Sequence, residues 1–161
     1  MSQLSEYLEK QGELAEQLAQ AAEQIPAGLE GWRPCEGALG WLRLVDHMAI
    51  ARRNLVLKAI KEEPIDFGAM VKNESLRSSS PTAAAAAHRS SWAELRSFLE
   101  SQGEGFLDKV VTFTRGRQWP VSRILWFAFE ENLHHRGQLW IYARMNGLTP
   151  PKVWGTEGMV Q

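Results

Sequence analysis

All seven prolines of this 161-residue chain fall at the edges of its long apolar-periodic segments or between them, never inside one. Proline lacks an N–H and crowds the preceding turn, so it closes a helix or occupies its first turn. Pro26 closes a first segment, 3–25, in which Leu4, Leu8, Leu14, Leu18, Ala21, Ala22 and Ile25 recur with helical period. The glycine- and proline-bearing stretch 26–37 reads as a connection, and a second helix is predicted from about Ala38 to Lys61, ended by Pro64. Ser80-Pro81 pairs a capping hydroxyl with proline at the first helical position, and the alanine run 83–87 that follows has the highest helix propensity available. That third helix should last to about Ser101, before Gly103. Pro120 opens a fourth helix that should reach Asn146, with Gly147 as its stop and Pro150-Pro151 forbidding continuation.

Residues 64–80 form a long connection, which in a four-helix protein usually crosses between parallel neighbours. Residues 104–118 suggest a short helix and then an extended piece. No window alternates apolar and polar residues over six positions, so little strand is expected. The chain should therefore be one all-α domain, 1–161, folded as a four-helix up-down-down-up bundle, with Val153 and Trp154 of the tail docking on it.

Bulk properties remove several function classes. Net charge is −1, so no global basic field suits nucleic acid, and the basic pair Arg52-Arg53 reads as a solvated helix face. No apolar run reaches the length of a membrane span, and the charged N-terminal MSQLSEYLEKQ has no signal-peptide core. A single cysteine, Cys35, permits no internal disulfide and suits a reducing cytoplasm; a lone thiol with no identified base is expected to be inert. A Gly-rich phosphate loop and a GxSxG elbow are both missing from the sequence.

The chemistry concentrates at Glu130-Glu131-Asn132-Leu133-His134-His135-Arg136-Gly137-Gln138. Glu131 and His135 are four residues apart on the helix face that carries Ile124, Ala128 and Tyr142. A carboxylate and an imidazole on a core-facing stripe are costly without a partner, and a divalent metal is an economical one. In the second helix, His47 shares an apolar face with Leu44, Met48, Ala51 and Leu55. His47 lies about ten residues, ~15 Å, into its helix, and His135 about eleven residues, ~16 Å, before the end of its own. If the two helices are antiparallel, His47, Glu131 and His135 converge at one height, a donor set suited to a divalent transition metal. Ordinary readings compete: His47 as a satisfied core residue, and Glu131–His135 as surface helix support, with Glu130–His134 a similar pair on the adjacent face. His88 reads as a solvated helix residue. Trp32, Trp41, Trp126 and Trp140 could line a pocket but suit core or interface packing better.

His134-His135-Arg136-Gly137-Gln138-Leu139, then Tyr142, Arg144, Gly147 and Pro150-Pro151, resembles the HHRGQ signature and ending of the DinB/YfiT-like superfamily of metalloenzymes. Gly31-Trp32-Arg33-Pro34, Gly40-Trp41-Leu42 and Val45-Asp46-His47-Met48-Ala49 resemble its entry motif and its helix-two histidine. The resemblance implies an up-down-down-up bundle, often a homodimer, with three metal ligands that are usually histidines. They map to His47, position 131 and His135, and position 131 is Glu here. It further implies a zinc, nickel, iron or manganese ion and transferase, isomerase or hydrolase chemistry on a small molecule, in some relatives with a low-molecular-weight thiol. Arg136 is expected to pair with a carboxylate, and Gly137 to allow close approach of helices or protomers. The opposing expectation is a non-catalytic dimeric bundle whose metal site has decayed.

Overall fold

The computed structural model describes residues 2–152, except the side chains of Ala69 and Val71; Val153 and Trp154 lie outside the described residues. Helix α1 is Gln3–Glu23, and its N-terminus is capped by the Ser2 side chain, which accepts from the Ser5 amide. Helix α2 occupies 41–60, α-helical over Trp41–Ala51, π-helical over Arg52–Leu57 and α-helical again over Lys58–Ile60. A short α3, Phe67–Lys72, and a 3-10 turn, Glu74–Leu76, lie within the long connection. Helix α4 is Pro81–Gln102, with the Ser80 hydroxyl accepting from the Ala83 amide as the sequence predicts. Helix α5 is Val121–Met145. The ambiguous segment holds a 3-10 turn, Glu104–Asp108, and two three-residue strands, β1 Val110–Thr112 and β2 Gln118–Pro120, paired antiparallel.

Contacts between the long helices fix their directions. Asp46 reaches the Ser78 amide at 3.1 Å just before α4, Arg52 meets His88 and Ser91, and Arg53 pairs with Glu94, so α2 and α4 are parallel neighbours. Glu104 accepts from the Leu4 amide, Tyr7 packs on Trp92, and Glu16 and Glu23 bind Arg89, so α1 and α4 are antiparallel. Tyr7 packs on Trp126 and Gln17 accepts from Arg136, so α1 and α5 run parallel. Trp41 packs on Tyr142 and His47 on His135, so α2 and α5 are antiparallel. This is the up-down-down-up bundle, with 64–80 as its crossover.

Two buried clusters fill the interior. One gathers Tyr7, Trp92, Leu95, Ile124 and Leu125; the other gathers Leu18, Trp41, Leu44, Met48 and Leu139. The loop before α2 is fastened to the second: Trp32 packs edge-on against Trp41 and Tyr142, and the Tyr142 hydroxyl donates to the Leu39 carbonyl. Gly40 permits this, because a Cβ there would stand 3.2 Å from the Gly31 carbonyl oxygen. Gly147, at φ +74°, supplies the left-handed stop of α5. Among the described residues no helix is long and apolar enough to cross a membrane.

Candidate metal centre and its pocket

Where the two clusters meet, a cavity of about 150 Å³ opens to solvent between α1, α2, α4 and α5. His47, Glu131 and His135 all line it. The antiparallel pairing of α2 and α5 brings the two imidazoles edge to face with ring centres 5.0 Å apart. His47 and Glu131 are exposed and His135 is half-buried, so the three stand at the mouth. The Nε2 of His135 is 3.8 Å from the Glu131 carboxylate, and its Nδ1 is 2.8 Å from the Gln138 side-chain oxygen. With Nδ1 protonated, that hydrogen bond fixes the ring and leaves the Nε2 lone pair facing Glu131, the usual outer support of a ligating histidine. Although His47 is exposed as a residue, desolvation of its ring against the pocket wall and then the nearby His135 hold its pKa below the ordinary value, outweighing the opposing pull of Glu131; the lowered pKa favours the neutral, electron-donating form. Among the described residues no three His, Cys, Asp or Glu side chains stand close enough to enclose an ion as they are.

Tyr7, Gln11 and Arg52 also line the cavity, and as its most deeply buried polar residues, at 2%, 1% and 3% exposure, they mark its inner end. Arg52 is 3% exposed, so the expected solvated basic pair is divided: Arg53 pairs with Glu94 at the surface, while Arg52 turns inward. The π-helical stretch begins at Arg52 and adds a residue to the turn, and both Arg52 and Val56 come to face the cavity. One Arg52 nitrogen, Nη1, donates to the His88 carbonyl and the Ser91 hydroxyl, at 3.1 and 2.8 Å. The other, Nη2, has no partner, and neither do the Tyr7 hydroxyl or either amide atom of Gln11. Each orphaned polar atom costs about 1–3 kcal/mol. Burial pulls the Arg52 pKa down to about 10, still charged at neutral pH, and pushes that of Tyr7 up. Met48, Leu55, Leu95 and Phe127 supply apolar wall between the two ends.

Other expectations change. His88 is 0% exposed, because the small side chains of Ala84 and Ala85 let α1 close over that face of α4. Neither of its ring nitrogens has a hydrogen-bond partner; burial and then the charge of Arg52 hold its pKa well below 6.5, with the Ala15 backbone opposing them. Within the chain, Arg136 binds the Gln17 amide oxygen at 3.0 Å and lies over Trp140, with no carboxylate partner among the described residues. A methyl added to Gly137 would meet nothing within 4 Å, so no described helix of this chain approaches it closely. None of Trp32, Trp41, Trp126 or Trp140 lines the cavity. Cys35 is free and exposed. Sequence reasoning missed Gln11 and Arg52. The available signal was a polar residue set into an apolar stripe: Gln11 stands four residues from Tyr7, and Arg52 four from Met48.

The family profile of the DinB family matches residues 1–159, and the chain belongs to that family. Solved structures share the fold. A DinB-like protein from Bacillus cereus ATCC 10987 superposes with a TM-score of 0.77 at 20% identity, covering 92% of this chain and 95% of its own. A DinB-like protein from Bacillus subtilis gives 0.72 at 22% identity, covering 92% and 96%. A point mutant of the mycothiol-dependent maleylpyruvate isomerase gives 0.63 at 22% identity, with 84% of this chain matched to 62% of that one. No curated protein matches the sequence.

Proposed function

We propose that this protein is a divalent-metal-dependent enzyme acting on a small molecule, with His47, Glu131 and His135 as the ligands. The observation that supports it best is the meeting of two imidazoles from antiparallel helices, 5.0 Å between ring centres, at the mouth of a cavity whose walls are mostly apolar. The donor set fits such an ion: two imidazoles, of which His47 is held towards its neutral form, and one carboxylate within reach of a side-chain adjustment. Two nitrogens and one oxygen suit zinc or nickel first, and iron or manganese next. When bound, the ion supplies a charge that lowers the pKa of a thiol or water and keeps its anion ready to attack an electrophile. Gln138 keeps the His135 ring aimed. Leu55, Leu95 and Phe127 exclude water from the reacting molecule, and the cavity volume of about 150 Å³ limits its size. A low-molecular-weight thiol is the cosubstrate this reading favours, since a protein of the same fold is a mycothiol-dependent isomerase. A cytoplasmic homodimer belongs to the same reading, and light scattering on the purified protein tests its oligomeric part.

A second reading, a non-catalytic bundle with a decayed site, has its own support. The Glu131 side chain is 50% exposed, and its 3.8 Å approach to His135 is that of an ordinary i, i+4 pair. Elemental analysis of protein purified without a metal-affinity tag separates the two. Stoichiometric metal that disappears in both His47→Ala and His135→Ala supports the enzyme. Metal-free protein that takes up none of zinc, nickel, iron or manganese on dialysis supports the decayed site.

A further inference from the structure

The inner end of the cavity has a chemistry that the ligand triad at the mouth does not use. Arg52 is a buried cation, and among the described residues no carboxylate pairs with it. Its Nη2 is unpartnered, as are both amide atoms of Gln11, a residue 1% exposed, and the hydroxyl of Tyr7, a residue 2% exposed. All three side chains line the same cavity as His47, Glu131 and His135. A purely structural role accounts for Nη1, which ties α2 to α4, and leaves the other donors unexplained. Buried charges and amides are normally satisfied, so a group that arrives from outside is the missing partner.

We infer that Arg52, Gln11 and Tyr7 form a binding site for the carboxylate of a small molecule whose apolar body lies along Leu55, Leu95 and Phe127 towards the three residues at the mouth. An ionised carboxylate only accepts hydrogen bonds, and its two oxygens can take donors from Arg52 Nη2, Gln11 Nε2 and the Tyr7 hydroxyl together. The Gln11 oxygen then needs only a water. The guanidinium charge, which burial weakens but does not remove, gains the counter-ion it lacks. A cavity of about 150 Å³ holds a ring of benzene size, so the ligand class is a compact aromatic or short aliphatic monocarboxylate. The inference deepens the metal-enzyme reading by naming its substrate class, and it rests on that reading for the reaction but not for the binding.

Calorimetric titration of the wild-type protein with benzoate, and with benzamide as its neutral counterpart of equal size, tests it. Benzoate should bind at least about tenfold more tightly than benzamide, the margin of a charge-assisted contact over a neutral one. Arg52→Met should abolish that preference, and His47→Ala should keep it. Should Arg52→Met fail to fold, Gln11→Leu should weaken benzoate at least about threefold while sparing benzamide. Inorganic phosphate at matched concentration should leave benzoate binding unchanged. Equal affinity for the two probes, absence of saturable benzoate binding, an undiminished preference in folded Arg52→Met or equal displacement by phosphate overturns the inference. Titration of both metal-free and metal-loaded protein keeps the two ideas apart. A protein that takes up no metal but retains the benzoate preference fails only the enzyme reading, whereas metal-loaded protein without the preference fails only the carboxylate site.

Discussion

His47 and His88 both stand in the middle of long helices among alanines, and their surroundings are nearly opposite. His47 has Ala49 and Ala51 beyond it and reaches the mouth of a cavity, with His135 across from it and solvent alongside. His88 follows an alanine run, precedes Arg89 and is sealed completely between α1 and α4, with no side chain to bond it. The sequence predicts an apolar surround for the first and a solvated one for the second. What separates them is the partner helix. On α4 the stripe Ala84, Ala85, His88, Ser91, Leu95 and Leu99 is continuous, and its small members bring α1 close. Arg89, one position on, stays outside and is clasped by Glu16 and Glu23 from α1. A histidine in the first setting is available to a ligand; in the second it can only be neutral packing.

The largest test of this contrast removes the imidazoles at the mouth. His47→Ala and His135→Ala should each lower metal affinity by more than the roughly 10–100-fold that loss of an outer support costs. Both should leave the melting temperature of the metal-free protein almost unchanged, since exposed or half-exposed substitutions shift stability by only about 0.5 kcal/mol. Calorimetric titration with zinc, paired with thermal unfolding, reads both. Equal losses of metal affinity and of metal-free stability would place His47 in the packed class with His88.

A smaller effect on the same side comes from Gln138→Leu. It keeps all three ligands and removes only the acceptor that holds His135 Nδ1 at 2.8 Å. Metal affinity should fall by roughly 10–100-fold, with no loss of stoichiometry at saturating metal. An unchanged affinity would mean that the ring is held by packing alone.

On the other side of the comparison, His88→Leu should stabilise the protein by about 1 kcal/mol at neutral pH, because it replaces two unpartnered nitrogens with hydrocarbon of similar volume. The pH dependence should change with it. Burial, helped by the charge of Arg52, holds the folded His88 pKa well below 6.5, so the unfolded chain takes up the proton first as the solution is acidified. The contribution of the neutral ring is complete above pH 6.5 and is lost progressively below it, down to the lower folded-state pKa. Melting temperature against pH should therefore fall less steeply below 6.5 in His88→Leu than in the wild type. Parallel acid limbs would show that His88 finds a proton-accepting partner.

Much of this architecture is legible in the sequence because its signals are local. The prolines and Ser80 place the helix ends within a few residues, and the length of 64–80 announces the crossover that makes α2 and α4 parallel. The height argument for His47 and His135 works because helix rise is nearly constant, and the rings do stand side by side. The π-helical stretch at Arg52 is less legible, since it depends on what α2 packs against and not on its own composition. Arg52 lies four residues from Met48 on the buried face of α2, but an arginine beside a second arginine reads as solvated until the packing of α4 on that face is known. Burial of His88 is hidden for a related reason: alanine counts as weakly apolar in a periodicity pattern, yet it decides how near the next helix can come. Spacing and resemblance suffice to bring His47, Glu131 and His135 to one cavity mouth, whereas the inner polar end, built from α1 and α2, needs the three-dimensional path of both helices.

The smallest expected effect lies on the outer side of the helix that carries His135, and it tests whether that side behaves as free surface. His134, Gly137, Ile141 and Met145 recur there at helical spacing and all are exposed. A methyl on Gly137 meets open space, so Gly137→Ala in an isolated chain should gain about 0.5–1 kcal/mol from the lower conformational freedom of the unfolded state. If instead a second copy packs its backbone against this glycine, the same methyl should weaken the assembly and make the melting temperature fall with dilution. Light scattering and thermal unfolding at two protein concentrations distinguish these outcomes. A concentration-independent gain assigns Gly137 to helix propensity alone, while a loss that grows on dilution assigns it to the contact between protomers that the family resemblance leads one to expect.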